Sequence, residues 1–148
     1  MIEPVSEDDL PAVRALIGRA LRAGVVEAED DVRHLLGNVD RVHRQWRTRW
    51  DDAVYLKLEL DGRLAGVVLV KSYWNLVNLF VEPECQRRGV GTQLLNEALK
   101  RCRAHGGVAR MKVNSSARAV GFYLRHGFRQ CGPEKDLPGG CVPMARDL

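Results

Sequence analysis

From Leu79 to Thr92 the chain reads Leu-Phe-Val-Glu-Pro-Glu-Cys-Gln-Arg-Arg-Gly-Val-Gly-Thr, a run suited to holding an anion. Pro83 ends an apolar strand, and Gly89 and Gly91 open a helix that carries Leu94 and Leu95. Glycines let the backbone approach a ligand closely, and a helix N-terminus presents N–H groups without partners of their own. Together they make a site for phosphate or pyrophosphate. The helix dipole contributes only ~0.3–1 kcal/mol, or ~2 when partly buried. Several convergent N–H bonds, with help from Arg87 or Arg88, must supply most of the grip. Two phosphate motifs are excluded. A Walker loop closes on Gly-Lys-Ser/Thr, whereas Thr92 and Gln93 follow Gly91, and a dinucleotide fingerprint would need glycine where Leu94 stands. Taken alone, two glycines after a strand also describe an ordinary turn.

The flanking pattern predicts the elements that position this loop. Leu10, Val13, Leu16, Ile17, Ala20 and Leu21 recur at helical spacing after an acidic cap, with Gly24 past the end. A second helix is expected from Ala28 to a stop at Gly37-Asn38, and a third from about Arg41 to Trp50. The period then changes to two: Val54 to Leu60 and Leu64 to Val70 form strands around Asp61-Gly62, a strong hairpin turn. A further strand runs from about Trp74 to Val81. A helix then reaches Gly106, a short strand holds Met111 to Val113, and a helix spans Ala117 to His126. Gly127 suits a left-handed helix terminus, and a last strand lies around Val142 to Ala145. The result is an α/β sandwich.

A second motif follows the glycines at the distance of one helix and one strand: Ala119-Val120-Gly121-Phe122-Tyr123-Leu124-Arg125-His126-Gly127-Phe128. With Val81-x-Pro83, Gln86-x-x-Gly89-x-Gly91 and Leu94-Leu95, the sequence resembles the GCN5-related N-acetyltransferase (GNAT) family. The resemblance spans the chain. It implies a single GNAT-like domain over 1–148, with a mixed, mostly antiparallel sheet flanked by helices and splayed between the fourth and fifth strands.

The same resemblance implies acetyl-CoA as acyl donor and a primary amine as acceptor, joined by direct attack in a ternary complex. The pantetheine arm is expected along Leu79, Phe80 and Val81, and the pyrophosphate on Gln86, Arg87, Arg88, Gly89, Val90, Gly91 and Thr92. Tyr123 is the candidate general acid for the departing thiolate, because a phenol of pKa ~10 stays protonated at neutral pH. Packing on a helix face is the plain alternative. Ser116 stands where the family usually has a cofactor-contacting asparagine, and a helix cap explains it equally well.

A general base is not evident. The acceptor ammonium, with a pKa of ~10.4, must lose a proton before it attacks. Relatives carry an acidic residue where this chain has Val77 and Asn78, or a glutamate where it has Met111 and Lys112. Asn75 or Asn78 could order a relaying water, and Glu82 is a distant candidate. These gaps sustain an alternative, a non-catalytic acyl-CoA-binding or sensor domain on the same fold. Trp46, Trp50 and Trp74 are read as core rather than as an acceptor pocket.

The whole-chain numbers limit the choice further. At 148 residues, with 45% hydrophobic and 28% charged residues, the chain fits one globular domain rather than a disordered one. No apolar run reaches the ~18 residues of a membrane span. Met1-Ile2-Glu3-Pro4 lacks the layout of a signal peptide, so a cytoplasmic protein without membrane partners is expected. Cys85, Cys102, Cys131 and Cys141 form no CxxC pair, so no metal site is expected and the thiols are read as reduced. The net charge of +4, from 18 arginines and 5 lysines against 19 acids, is too modest to argue for nucleic acid. The expected partner is a small-molecule or peptide amine, with a homodimer left open. A cationic acceptor would be drawn by Glu27-Ala28-Glu29-Asp30-Asp31, although acids in a helix's first turn also serve its dipole.

Overall fold

The structure, a computed structural model, describes residues 1–26 and 28–148. Seven strands form one sheet in the order β1-β2-β3-β4-β5-β7-β6. They are β1 (Ile2–Pro4), β2 (Ala53–Leu60), β3 (Arg63–Lys71), β4 (Asn75–Val81), β5 (Arg110–Ser115), β6 (Arg129–Gln130) and β7 (Val142–Asp147). All neighbours are antiparallel except β4 and β5, which run parallel. That parallel pair meets only at Asn75–Lys112 and Leu76–Val113, and beyond it the strands part. This is the splayed α/β fold expected from the motifs.

Each face of the sheet packs its own helices. Val54, Leu56 and Leu58 of β2 and Val68 and Val70 of β3 point to one side, against Leu94, Leu95 and Leu99 of α3 (Val90–His105). Tyr123 of α4 (Val120–Arg125) and Phe128 close the same core. On the other side, Tyr55, Val67 and Leu69 meet Val13, Leu16 and Ile17 of α1 (Leu10–Ala20) and Val32, Leu36 and Val39 of α2 (Glu29–Arg49). Alternating side chains along each strand thus feed two separate apolar layers.

Three departures from the sequence expectation have local causes. Gly37-Asn38 does not end a helix; α2 runs unbroken from Glu29 to Arg49. Its buried stripe of Val32, Leu36, Val39 and His43 keeps helical spacing through the glycine, and packing outweighs the ~1 kcal/mol a mid-helix glycine costs. After Ala20 the chain adds one wide turn, in which the Val26 amide donates to the Leu21 carbonyl at 3.1 Å. The short strands β1 and β6 carry too few residues to show alternation, and exist by pairing with β2 and β7. Asp61 and Gly62 take the expected hairpin turn, both with positive φ. Gly127 (φ 85°) ends α4, with the Phe128 amide donating to the Tyr123 carbonyl at 3.0 Å.

Candidate active site

The site begins at an irregularity in β4. Its register against β3 shifts between the pairs Leu69–Asn78 and Val70–Leu76, leaving Val77 as an extra residue. The bulge changes which side chains face which layer. Leu76 and Leu79 lie in the α3 layer, whereas Val77, Phe80 and Leu69 lie in the α1–α2 layer. Paired with Leu69, Asn78 therefore faces α1 and α2. A bulge also bends its strand and stops regular pairing, which suits the point where β4 leaves β5.

A cavity of about 760 Å³ passes through this parting, in the range of small-ligand sites. Its α3-side wall includes Gln86, Arg87, Gly89, Val90, Gly91 and Thr92 from the turn and first residues of α3, with Phe122 and Tyr123 of α4. Leu79, Phe80 and Val81 run along it, and Asn78 and Ser116 line it. The sequence-predicted candidates thus converge on one cavity, with one correction. Arg88 is exposed and not among the lining residues, because the turn before Gly89 directs it to solvent.

The loop conformation suits close approach by a ligand. Gly89 (φ 77°) caps α3 in the left-handed region, and Arg87 (φ 65°) adopts it without being glycine, a strain that clusters at ligand clamps. A Cβ on Gly91 would meet the Phe122 ring at 3.4 Å, so a larger residue would enter the cradle. Glu82 precedes this loop. Its carboxylate accepts from Arg19 Nε at 2.8 Å and Nη2 at 2.7 Å. That pairing engages both oxygens and turns Glu82 toward α1, and Glu82 is not among the residues lining the cavity.

Two buried polar side chains line the cavity. Asn78 is 8% exposed, and its Nδ2 is buried without a hydrogen-bond partner. Leaving such a donor unpaired costs ~1–3 kcal/mol, so native proteins rarely do it without a use. Tyr123 is buried, with its ring edge-on to Phe122 and Phe128. Its hydroxyl has no bond among the described residues, and burial pushes the phenol well above its ordinary pKa. Ser116 Oγ accepts from the Ala119 amide at 3.3 Å, the helix-cap role. Asn75 lies in the paired part of β4, outside the cavity lining, which narrows the two asparagine candidates to Asn78.

Several lining residues carried no sequence signal. Ile17 and Ala20 of α1, Leu21 just beyond it, and Leu35, Asn38 and Arg41 of α2 reach the cavity only through helix packing. Pro138 and Gly140 close another edge, where Gly140 lies so near Ala117 that a Cβ would stand 2.9 Å from it. No tryptophan lines the cavity. Trp46 packs edge-on against Tyr55 and Trp50 lies under Lys71, whereas Trp74, expected in the core, is exposed at the turn before β4. Of the acidic segment, Glu27 lies outside the described residues. Glu29 pairs with Arg22 and Asp30 with Arg33, and Asp31 is not among the lining residues. The four cysteines are free thiols. Among the described residues no helix is long and apolar enough to cross a membrane, and no cluster of three metal-ligating side chains occurs.

The profile of the acetyltransferase (GNAT) domain family matches residues 26–148, and the chain belongs to that family. A solved GCN5-related N-acetyltransferase from Rhodopseudomonas palustris superposes with a TM-score of 0.83 at 21% identity, covering 100% of this chain and 95% of that one. PaiA N-acetyltransferase from Thermoplasma acidophilum, solved with coenzyme A, gives 0.79 at 18% identity, covering 100% and 98%. In sequence, the chain is 25% identical over 120 residues to an uncharacterised N-acetyltransferase of Methanocaldococcus jannaschii. That match takes in 73% of this chain, and it spans about half the length (51%) of the curated relative.

Proposed function

We propose that the protein transfers an acetyl group from acetyl-CoA to a primary amine by direct attack within a ternary complex. The observation that carries this reading is the cavity through the β4–β5 parting, lined by Asn78 from the α1–α2 face and Tyr123 from the α3–α4 face. The residues present fit the cofactor, on the evidence of a cavity-lining turn kept free of side chains at Gly89 and Gly91 and of a strand edge at Leu79 to Val81 that β5 leaves unpaired. When bound, the thioester supplies an activated acyl carbon.

The chain's own groups then have distinct tasks. Leu79, Phe80 and Val81 have no strand partner on the β5 side, so their edge suits the pantetheine amides. Gln86, Arg87 and the backbone from Gly89 to Thr92 suit the pyrophosphate. Asn78 Nδ2 is suited to donate to a water that relays the incoming ammonium's proton out to bulk solvent. Tyr123 is suited to donate its proton to the departing sulfur, and its raised pKa makes it an acid rather than a base at working pH. The same burial would also disfavour the thiolate anion beside it, which narrows the gap between donor and acceptor.

One observation favours a second reading, an acyl-CoA-binding domain without turnover. Among the described lining residues there is no carboxylate or imidazole to act as base. Calorimetry with acetyl-CoA, joined to a thiol-release assay over an amine panel, separates the two. Sustained release of CoA with any amine supports the enzyme. Tight binding without release on every amine supports the sensor, and failure to bind acetyl-CoA removes both.

A further inference from the structure

Resting on that acetyltransferase reading, we infer that the acceptor is a small amine bearing a carboxylate, and that Arg41 and Arg118 select it. The acceptor must reach the parting from the α1–α2 face, because the glycine turn and α3 occupy the other. Besides the residues of the glycine turn and α4, the ionisable side chains lining the cavity are Arg41, on α2, and Arg118, in the turn that leads into α4, whose guanidinium reaches across to Ala23 beyond α1. No carboxylate lines the cavity among the described residues. Arg41 has no hydrogen bond or ion pair among them, and Arg118 donates only a 3.4 Å bond to the Ala23 carbonyl.

Four acids of α2 and of the end of β4 are paired with other arginines. Glu29 is paired with Arg22, Asp30 with Arg33, Asp40 with Arg14 and Glu82 with Arg19. A polycation entering this cavity would meet two guanidinium groups and, among the described lining residues, no carboxylate. An amino-carboxylate would place its anion on planar forks that match it and its ammonium toward Asn78. A cavity lined by one sign of charge both concentrates the matching ligand and rejects the opposite one. On this inference the acceptor carries an anion, in contrast to the cationic acceptor that the acidic segment suggested.

The test titrates free L-amino acids, their carboxamides and spermidine into the CoA-saturated protein by calorimetry, with acetyl-CoA turnover measured in parallel. At least one acid is expected to bind ten-fold or more tightly than its carboxamide, and spermidine not to compete. Arg41→Gln should bring that ratio to within about two-fold, by weakening the acid alone, while affinity for acetyl-CoA is retained. Arg118→Gln, read the same way, covers the other fork. Equal binding of acids and amides, preference for spermidine, no binding of any acid, or a ratio that survives both substitutions overturns the inference. So does a loss confined to acetyl-CoA affinity, which would assign the arginines to the cofactor. If CoA binds and only the acid preference is absent, the acetyltransferase reading stands. If CoA itself does not bind, that reading falls and the inference falls with it.

Discussion

Arg19 and Glu82, 63 residues apart in sequence, close a two-pronged ion pair that ties α1 to the end of β4. Glu82 is buried, with 8% of its side chain exposed, whereas Arg19 is half exposed at 53%. The pair therefore sits at the root of the glycine turn as an anchor. Arg19→Met leaves a buried carboxylate without its partner. The expected loss is about 1–3 kcal/mol, below the ~3–5 of a fully buried pair because water reaches the arginine side. Adding Glu82→Gln to that variant should restore part of the loss. Urea unfolding checks both, and equal stabilities of the single and double variants would contradict the anchor.

Tyr123→Phe keeps the ring contacts with Phe122 and Phe128 and removes only the hydroxyl. Acetyl-CoA affinity should be unchanged and turnover should fall, by up to ~10²–10⁴-fold where proton donation limits the rate. A rate equal to wild type under single-turnover conditions would take Tyr123 out of the acid role.

Asn78→Leu separates stability from function. The substitution removes a buried donor that has no partner, so the fold should be unchanged or more stable by about 1–2 kcal/mol. Turnover should nevertheless drop. A variant that is both more stable and fully active would leave Asn78 with no catalytic part.

Gly91→Trp drives an indole into the cradle beside Phe122 and should abolish acetyl-CoA binding in a protein that still melts cooperatively. Gly89→Ala tests the backbone instead. Its left-handed φ should cost about 1–2 kcal/mol, with a smaller effect on cofactor affinity because a Cβ there meets only the tip of Gln93, at 4.0 Å. Cofactor affinity at wild-type level in Gly91→Trp, measured by calorimetry, would move the pyrophosphate elsewhere.

His43 provides a pH signature unrelated to the site. Its Nε2 is 2.7 Å from the Tyr55 hydroxyl in the α1–α2 layer. Burial holds the imidazole below its ordinary pKa of 6.5, with Asp40 opposing that shift and Arg14 reinforcing it. Below pH 6.5 the unfolded chain takes up a proton that the folded one resists. Stability is thus complete above pH 6.5 and is lost as pH falls toward the folded value, by at most ~1.4 kcal/mol per pH unit. Urea titrations at pH 7.5 and 5.5 should show the loss in the wild type and a smaller one in His43→Gln. Identical slopes would exclude His43 as the source.

What the sequence disclosed depended on how local the cause was. The glycine turn, Gly127 and the Asp61-Gly62 hairpin are set by residues within a few positions of each other, and all lie where the pattern placed them. The break at Gly37 failed because the stripe from Val32 to His43 decides the matter across a whole layer. Val77 and Asn78 looked like a strand's ordinary alternation. Only pairing with β3 shows that the register slips there and turns Asn78 toward α2. Arg41 had no signal at all, since its place on the cavity wall depends on how α2 lies over the sheet.

The brief contact of β4 with β5 gives the protein a strand edge in its own interior. Exposed edges of this kind invite pairing with other chains, and most proteins cover or charge them. Here the natural cover would be the cofactor arm itself, lying as an eighth, borrowed strand between the two halves of the sheet. Ligand uptake would then also complete the fold. At a hundred-fold excess over its dissociation constant a ligand adds ~2.7 kcal/mol to stability. The chain's resistance to heat, proteolysis and aggregation should accordingly track how much acyl-CoA surrounds it.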